Sequence, residues 1–99
     1  MSMERLSECR KAIDVLDLKI LALLNERTRI VEEIGRIKRQ LALPIYEPKR
    51  EAQVFANITA NNEGPLSDDA VKRVFERIID EMRTVQKVRM QEKQAEEPK

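Results

Sequence analysis

Residues 6–41 read LSECRKAIDVLDLKILALLNERTRIVEEIGRIKRQL, and the spacing of their apolar side chains decides the fold. Leu6, Ile13, Leu16, Ile20, Leu23, Ile30, Ile34, Ile37 and Leu41 recur at intervals of three and four, the seam of a coiled coil. The lone glycine in this run, Gly35, is tolerable inside so strong a pattern. The reading is one helix from residue 4 to about 41. At ~1.5 Å per residue it is roughly 55 Å long, whereas a compact domain of about a hundred residues has a radius of gyration of only about 13 Å. Such a helix overhangs any monomeric bundle. Its seam calls for a partner, most simply a second copy of itself.

Outward from this helix, Pro44 forces Leu43 toward an extended backbone, and Pro48 suits the first turn of a second helix over 48–61. Glu47 lies near the positive end of that helix, and Val54, Phe55 and Ile58 mark its apolar face. Asn61, Asn62, Gly64 and Pro65 stop it. Ser67 then caps a third helix, with Asp68 and Asp69 complementing its dipole. That helix carries Val71, Val74, Phe75, Ile78, Ile79, Met82 and Val85 and fades after about Met90. The expected plan is all-α, three helices long-short-long in an intertwined homodimeric bundle. Residues 1–91 form the helical domain and 92–99 a charged tail expected to be disordered.

Composition narrows the chemistry. The 99 residues hold 19 basic and 18 acidic side chains, no His, one Cys, and Tyr46, Phe55 and Phe75 as the only aromatics. Balanced charge and scarce aromatics speak against nucleic acid as a partner. No apolar run approaches the ~20 residues that span a bilayer, and MSMERLSECR lacks the apolar stretch of a signal peptide, so a cytoplasmic protein without membrane partners is expected. Cys9 cannot pair within the chain and reads as a small buried hydrophobe. Without His, a Ser-His-Asp or Cys-His unit and a usual zinc site are excluded, and there is no glycine-rich phosphate loop. No metal and no cofactor is expected. Any catalysis must come from charge and shape.

The polar residues standing at seam positions are therefore informative. Arg27 lies four after Leu23 and three before Ile30, Arg10 four after Leu6 and three before Ile13, and Lys38 four after Ile34. Eleven residues at ~100° bring Lys38 to within about 20° of Arg27, about 16 Å further along the axis. Each cation alone could snorkel to water or pair with a neighbouring carboxylate. Three on one inward stripe call for anions, since burial otherwise costs several kcal/mol per ion. Glu51, three before Val54 and seven before Ile58, faces inward, either as a ligand contact or as a first-turn carboxylate favoured by the helix dipole. Arg50 beside it sits at the edge of that face, as a site residue or a plain surface one. On the third helix Phe75, Ile79, Met82 and Gln86 share a row, which makes Gln86 an amide donor at an apolar position or a satisfied core amide. The set suits a compact dianion carrying a hydroxyl.

The segments CRKAIDVLDLKILALLNER (9–27), IGRIK (34–38), PIYEPKRE (44–51) and FERIIDEMRTVQ (75–86) together resemble the all-helical AroQ-type chorismate mutase family, in order and spacing, over about residues 5–90. The resemblance implies an intertwined homodimer with two active sites that converts chorismate to prephenate, the step leading to phenylalanine and tyrosine. By position, Arg27 and the partner chain's Arg10 bind the two substrate carboxylates, and Lys38 and Gln86 hydrogen-bond the ether oxygen. Glu47 and Glu51 lie at the substrate hydroxyl, with Arg50 supporting that corner. Met82 stands among the substrate-binding positions where the family often has Ser. Docking onto another enzyme of the aromatic pathway is a further possibility of this resemblance. Two rivals remain: an isochorismate-pyruvate lyase of the same fold, which lacks a carboxylate matching Glu51, and a non-enzymatic helical dimerisation module, in which Arg10, Arg27 and Lys38 would be exposed or paired internally.

Overall fold

Helix-forming residues fill three segments of the chain, and each folds as its pattern dictates. The computed structural model describes residues 2–96. Helix α1 spans Met3–Gln40, α2 Pro48–Ala60 and α3 Asp68–Glu96, with no strand among the described residues. The chain is all-α, long-short-long. None of these helices is long and apolar enough to cross a membrane.

The chain divides into two compact units, one ending at Ile30 and one beginning at Val31. The first is the N-terminal part of α1. Ser2 Oγ accepts a hydrogen bond from the Arg5 N–H at 3.1 Å, closing the first turn. Every residue from Ser2 to Leu23 is exposed, including the seam residues Leu6, Ile13, Leu16, Ile20 and Leu23. Cys9, expected as a small buried hydrophobe, is instead exposed, as are its neighbours on the helix.

The second unit holds the core. Val31, Gly35 and Lys38 are buried on the last turns of α1, and Ile79, Met82 and Gln86 are buried on α3. Gly35 faces Gln86 on α3, where a β-carbon would meet the Gln86 Cγ at 3.5 Å and its Cα at 3.8 Å, ordinary van der Waals contact. On α2, Val54, Phe55 and Ile58 are half-buried, as their spacing predicts. Two ion pairs tie the helices at their rims, Glu32 with Arg89 and Glu51 with Arg83.

The connections obey local backbone chemistry. Helix α1 ends in a Schellman arrangement: the Leu43 N–H bonds the Lys38 carbonyl at 2.7 Å and the Ala42 N–H bonds the Arg39 carbonyl at 3.2 Å. Ala42 takes the left-handed conformation this needs, with φ of 55°. Pro48 stands at the start of α2, preceded by Glu47 at the N-cap, whose side chain does not cap the helix. Before α3, Asn62 Nδ2 donates to the Leu66 carbonyl at 2.9 Å and to Asp68 Oδ1 at 2.8 Å, and its own Oδ1 accepts from the Gly64 N–H at 3.1 Å. Ser67 caps α3 as expected, its Oγ accepting from the Ala70 N–H at 3.1 Å. The backbone of α3 stays helical to Glu96, beyond the fading expected after Met90. Of the tail expected over 92–99, residues 97–99 lie outside the described residues.

Candidate functional site

Lys38 is the most unusual side chain in the second unit. It is a lysine with 6% of its surface exposed, in the last turn of α1. An ammonium carries three donors and loses several kcal/mol of hydration on burial unless each finds an acceptor. Three acceptors are present. Lys38 Nζ lies 2.8 Å from the Ile45 carbonyl oxygen, 3.3 Å from Gln86 Oε1 and 2.7 Å from Glu47 Oε1. Glu47 spends its carboxylate here rather than on capping α2, which explains the missing cap bond. The anion that a buried seam cation demands is thus supplied by the α1–α2 connection.

Gln86 is the amide partner, itself buried at 8% exposure on α3. Its row Phe75, Ile79, Met82, Gln86 runs inward as the periodicity predicts, Phe75 half-buried and the other three buried. Met82 is buried, as are Val31 and Ile79, so its position is part of the packed core.

Glu51 on α2 is held from α3. Arg83 grips it with both arms of the guanidinium, Nε to Oε2 at 3.0 Å and Nη2 to Oε1 at 2.9 Å. Arg83 also pairs through Nη1 with Asp80 at 3.2 Å, and its guanidinium carbon sits 5.4 Å from the centre of the Tyr46 ring. The hydrogen bond to Glu51, assisted by the nearby Glu51 and Asp80 charges, raises the Arg83 pKa above its ordinary value against a smaller opposing effect of burial. Arg83 is therefore a cation at every working pH.

The structure thus brings together Lys38, Glu47 and Gln86, and separately fixes Glu51. Arg50, expected to support the Glu51 corner, is exposed and bonds Gln53 on its own helix at 3.4 Å. The guanidinium in contact with Glu51 is that of Arg83. Arg10 is exposed and Arg27 half-buried, both in the first unit. Sequence reasoning passed over Arg83 and Tyr46. A signal for Arg83 existed, since it lies four beyond Ile79 and three before Gln86, on the flank of the inward row. Tyr46 lies in a connection with no period to read.

The second unit thus gathers a buried ammonium, a buried amide and two paired carboxylates within an all-helical fold. The family model of chorismate mutase type II matches residues 9–87, and the chain belongs to that family. It is 34% identical to the chorismate mutase of Methanocaldococcus jannaschii over 92% of this chain and 93% of that protein. Among solved structures, Form II of the chorismate mutase from Thermus thermophilus is 40% identical with a TM-score of 0.83, covering 84% of this chain and 94% of that one. The chorismate mutase from Helicobacter pylori in complex with prephenate is 27% identical with a TM-score of 0.84, covering 90% and 97%. The chain spans about a fifth of the length of the bifunctional chorismate mutase/prephenate dehydratases that it also matches.

Proposed function

We propose that the protein is a chorismate mutase, converting chorismate to prephenate as a homodimer in the cytoplasm, alone or docked to another enzyme of the aromatic pathway. The buried Lys38 ammonium, with Gln86 and Glu47 in contact, is the observation that carries this reading. The reaction is unimolecular: the ether C–O bond breaks as a C–C bond forms, with no nucleophile, metal or external proton required. Two things lower its barrier. The substrate must be held in a compact chair-like conformer, and the negative charge growing on the ether oxygen must be met by donors already in place.

Lys38 is such a donor. Its ammonium is already out of water and fixed by three acceptors, so little reorganisation accompanies the reaction. The ether oxygen takes the place of one acceptor, most readily Glu47, whose side chain is half exposed at 47%. Gln86 now turns its oxygen toward Lys38; half a turn of the amide offers the NH2 group, and the two donors then converge on one oxygen. Glu51 accepts the substrate hydroxyl.

Charge arithmetic supports the arginine roles. In the second unit Lys38 is neutralised by Glu47 and Arg83 by Glu51, so this group has no excess positive charge for a dianion. Arg27 and Arg10 of the partner subunit supply it, one for each substrate carboxylate.

The test is to incubate the purified protein with chorismate, follow loss of its ultraviolet absorbance and identify the product. Prephenate is expected; pyruvate from isochorismate, with chorismate untouched, overturns the reading in favour of a lyase. In the same assay Lys38→Ala lowers kcat by at least roughly 10²-fold, the usual effect of losing one preorganised donor, with helix content unchanged. Near-normal turnover in that variant removes Lys38 from the mechanism.

A further inference from the structure

A carboxylate in a dianion's binding site is a liability. It accepts the hydroxyl, but its charge repels the ligand it serves, and in a part-buried setting that repulsion is poorly screened. Glu51 is in that setting, with 21% of its side chain exposed, and it does not stand alone. Both of its oxygens are engaged by Arg83, at 3.0 and 2.9 Å, in the parallel fork that a guanidinium makes with a carboxylate. Arg83 is in turn restrained on two more sides, by Asp80 at 3.2 Å and by the Tyr46 ring at 5.4 Å.

We propose that Arg83 is the positioning residue for Glu51, cancelling its charge and fixing its plane so that it can accept a hydroxyl from a dianionic substrate. Each carboxylate oxygen has two lone pairs, and the fork takes one from each. The others stay available to a hydroxyl. The Tyr46 contact extends this role to the connection before α2. Ile45 and Glu47, on either side of Tyr46, are two of the three residues that hold the Lys38 ammonium, so Arg83 steadies both ends of the site. Lysine cannot replace it fully, because an ammonium offers a point charge rather than a planar fork. The inference rests on the reading of the site as one for chorismate.

Steady-state kinetics of the full chain test it with Arg83→Met, Arg83→Lys, Glu51→Gln and the Arg83 changes combined with Glu51→Gln. Arg83→Met is expected to raise KM for chorismate by about 10-fold while kcat changes by less than about 3-fold, because repulsion acts on the bound dianion before and during reaction alike. Raising the salt concentration shrinks the KM increase. Arg83→Lys recovers part of it. With Glu51→Gln already in place the charge facing the substrate is gone and only the exposed, solvent-screened Asp80 carboxylate remains beside Arg83, so the same changes at Arg83 alter KM by less than about 2-fold. An unchanged KM in Arg83→Met, or an equal rise with and without Glu51→Gln, overturns the assignment. Should Arg83→Met fail to fold, Arg83→Lys with and without Glu51→Gln gives the same comparison and decides it on the same criterion. A wild-type protein that leaves chorismate unconsumed overturns the underlying functional reading instead.

Discussion

Lys38 and Gln86 meet at 3.3 Å with the amide oxygen toward the ammonium, and the chemistry asked of them depends on Gln86 donating rather than accepting. Replacing the amide by a carboxyl tests this directly. In Gln86→Glu the ionised side chain pairs with Lys38 and has no hydrogen to give, so stabilisation of the ether oxygen is lost at neutral pH. Protonation restores a donor. The Lys38 charge opposes that protonation, so recovery is confined to pH values near or below the ordinary glutamate pKa of about 4.3. Turnover of Gln86→Glu relative to wild type is therefore expected to rise by about 10-fold or more as pH falls from 8 to 4, in a stopped-time assay across that range. A ratio that stays flat shows that Gln86 does not act by donation. At this scale the seam residues were legible in the sequence, because a polar side chain interrupting an apolar period must be accommodated. Lys38, Gln86 and Glu51 all announced themselves so. Ile45 and Tyr46 did not, since an irregular connection has no period to interrupt, and Arg50, adjacent to Glu51 in sequence, bonds Gln53 on its own helix.

The helices themselves were readable to within a residue or two at most ends, and the exceptions have physical causes. Pro44 and Pro48 bracket the α1–α2 connection and Ser67 caps α3, each through a backbone constraint visible in the residue type. The turn that closes α1 was not visible, because its left-handed position is occupied by Ala42 rather than glycine. The C-terminal end of α3 was underestimated for another reason. Apolar periodicity stops near Met90, but Gln, Lys, Ala and Glu are good helix formers and carry the backbone on to Glu96. Ala42 yields a prediction of its own. An L-residue in the left-handed region costs about 1–2 kcal/mol, while glycine there loses about 0.5–1 kcal/mol through its freer unfolded chain. Ala42→Gly is thus expected to stabilise the fold by about 0.5–1 kcal/mol, a rise in Tm of roughly 2–8 °C for a domain of this size. Thermal unfolding at fixed protein concentration measures it, and a lowered Tm would show that the turn is held by something other than its hydrogen bonds.

At the scale of the whole molecule, an unburied seam is the dominant fact. Ile13, Leu16, Ile20 and Leu23 remain 55, 53, 54 and 63% exposed, and each would gain roughly 1–2 kcal/mol if fully covered. Apolar surface of that extent supports the proposed homodimer, and its three-four spacing fits the same helix in a second copy. Such pairing also places Arg10 where a symmetric partner could use it, and that makes the assembly testable through chemistry rather than mass alone. Arg10→Ala and Lys38→Ala chains are each expected to be nearly inactive. If Arg10 serves the other subunit, mixing them under conditions of subunit exchange builds heterodimers in which one site has both wild-type residues and the other has neither. Random pairing makes half the dimers mixed, so about a quarter of wild-type activity is expected to return, with KM at the wild-type value. Were Arg10 to act within its own chain, every site would lack one residue or the other and nothing would be regained. Exchange demonstrated by a mass-tagged subunit, with activity still absent, sinks the shared site, whereas recovery with wild-type KM requires the two arginine-bearing helices to lie against each other.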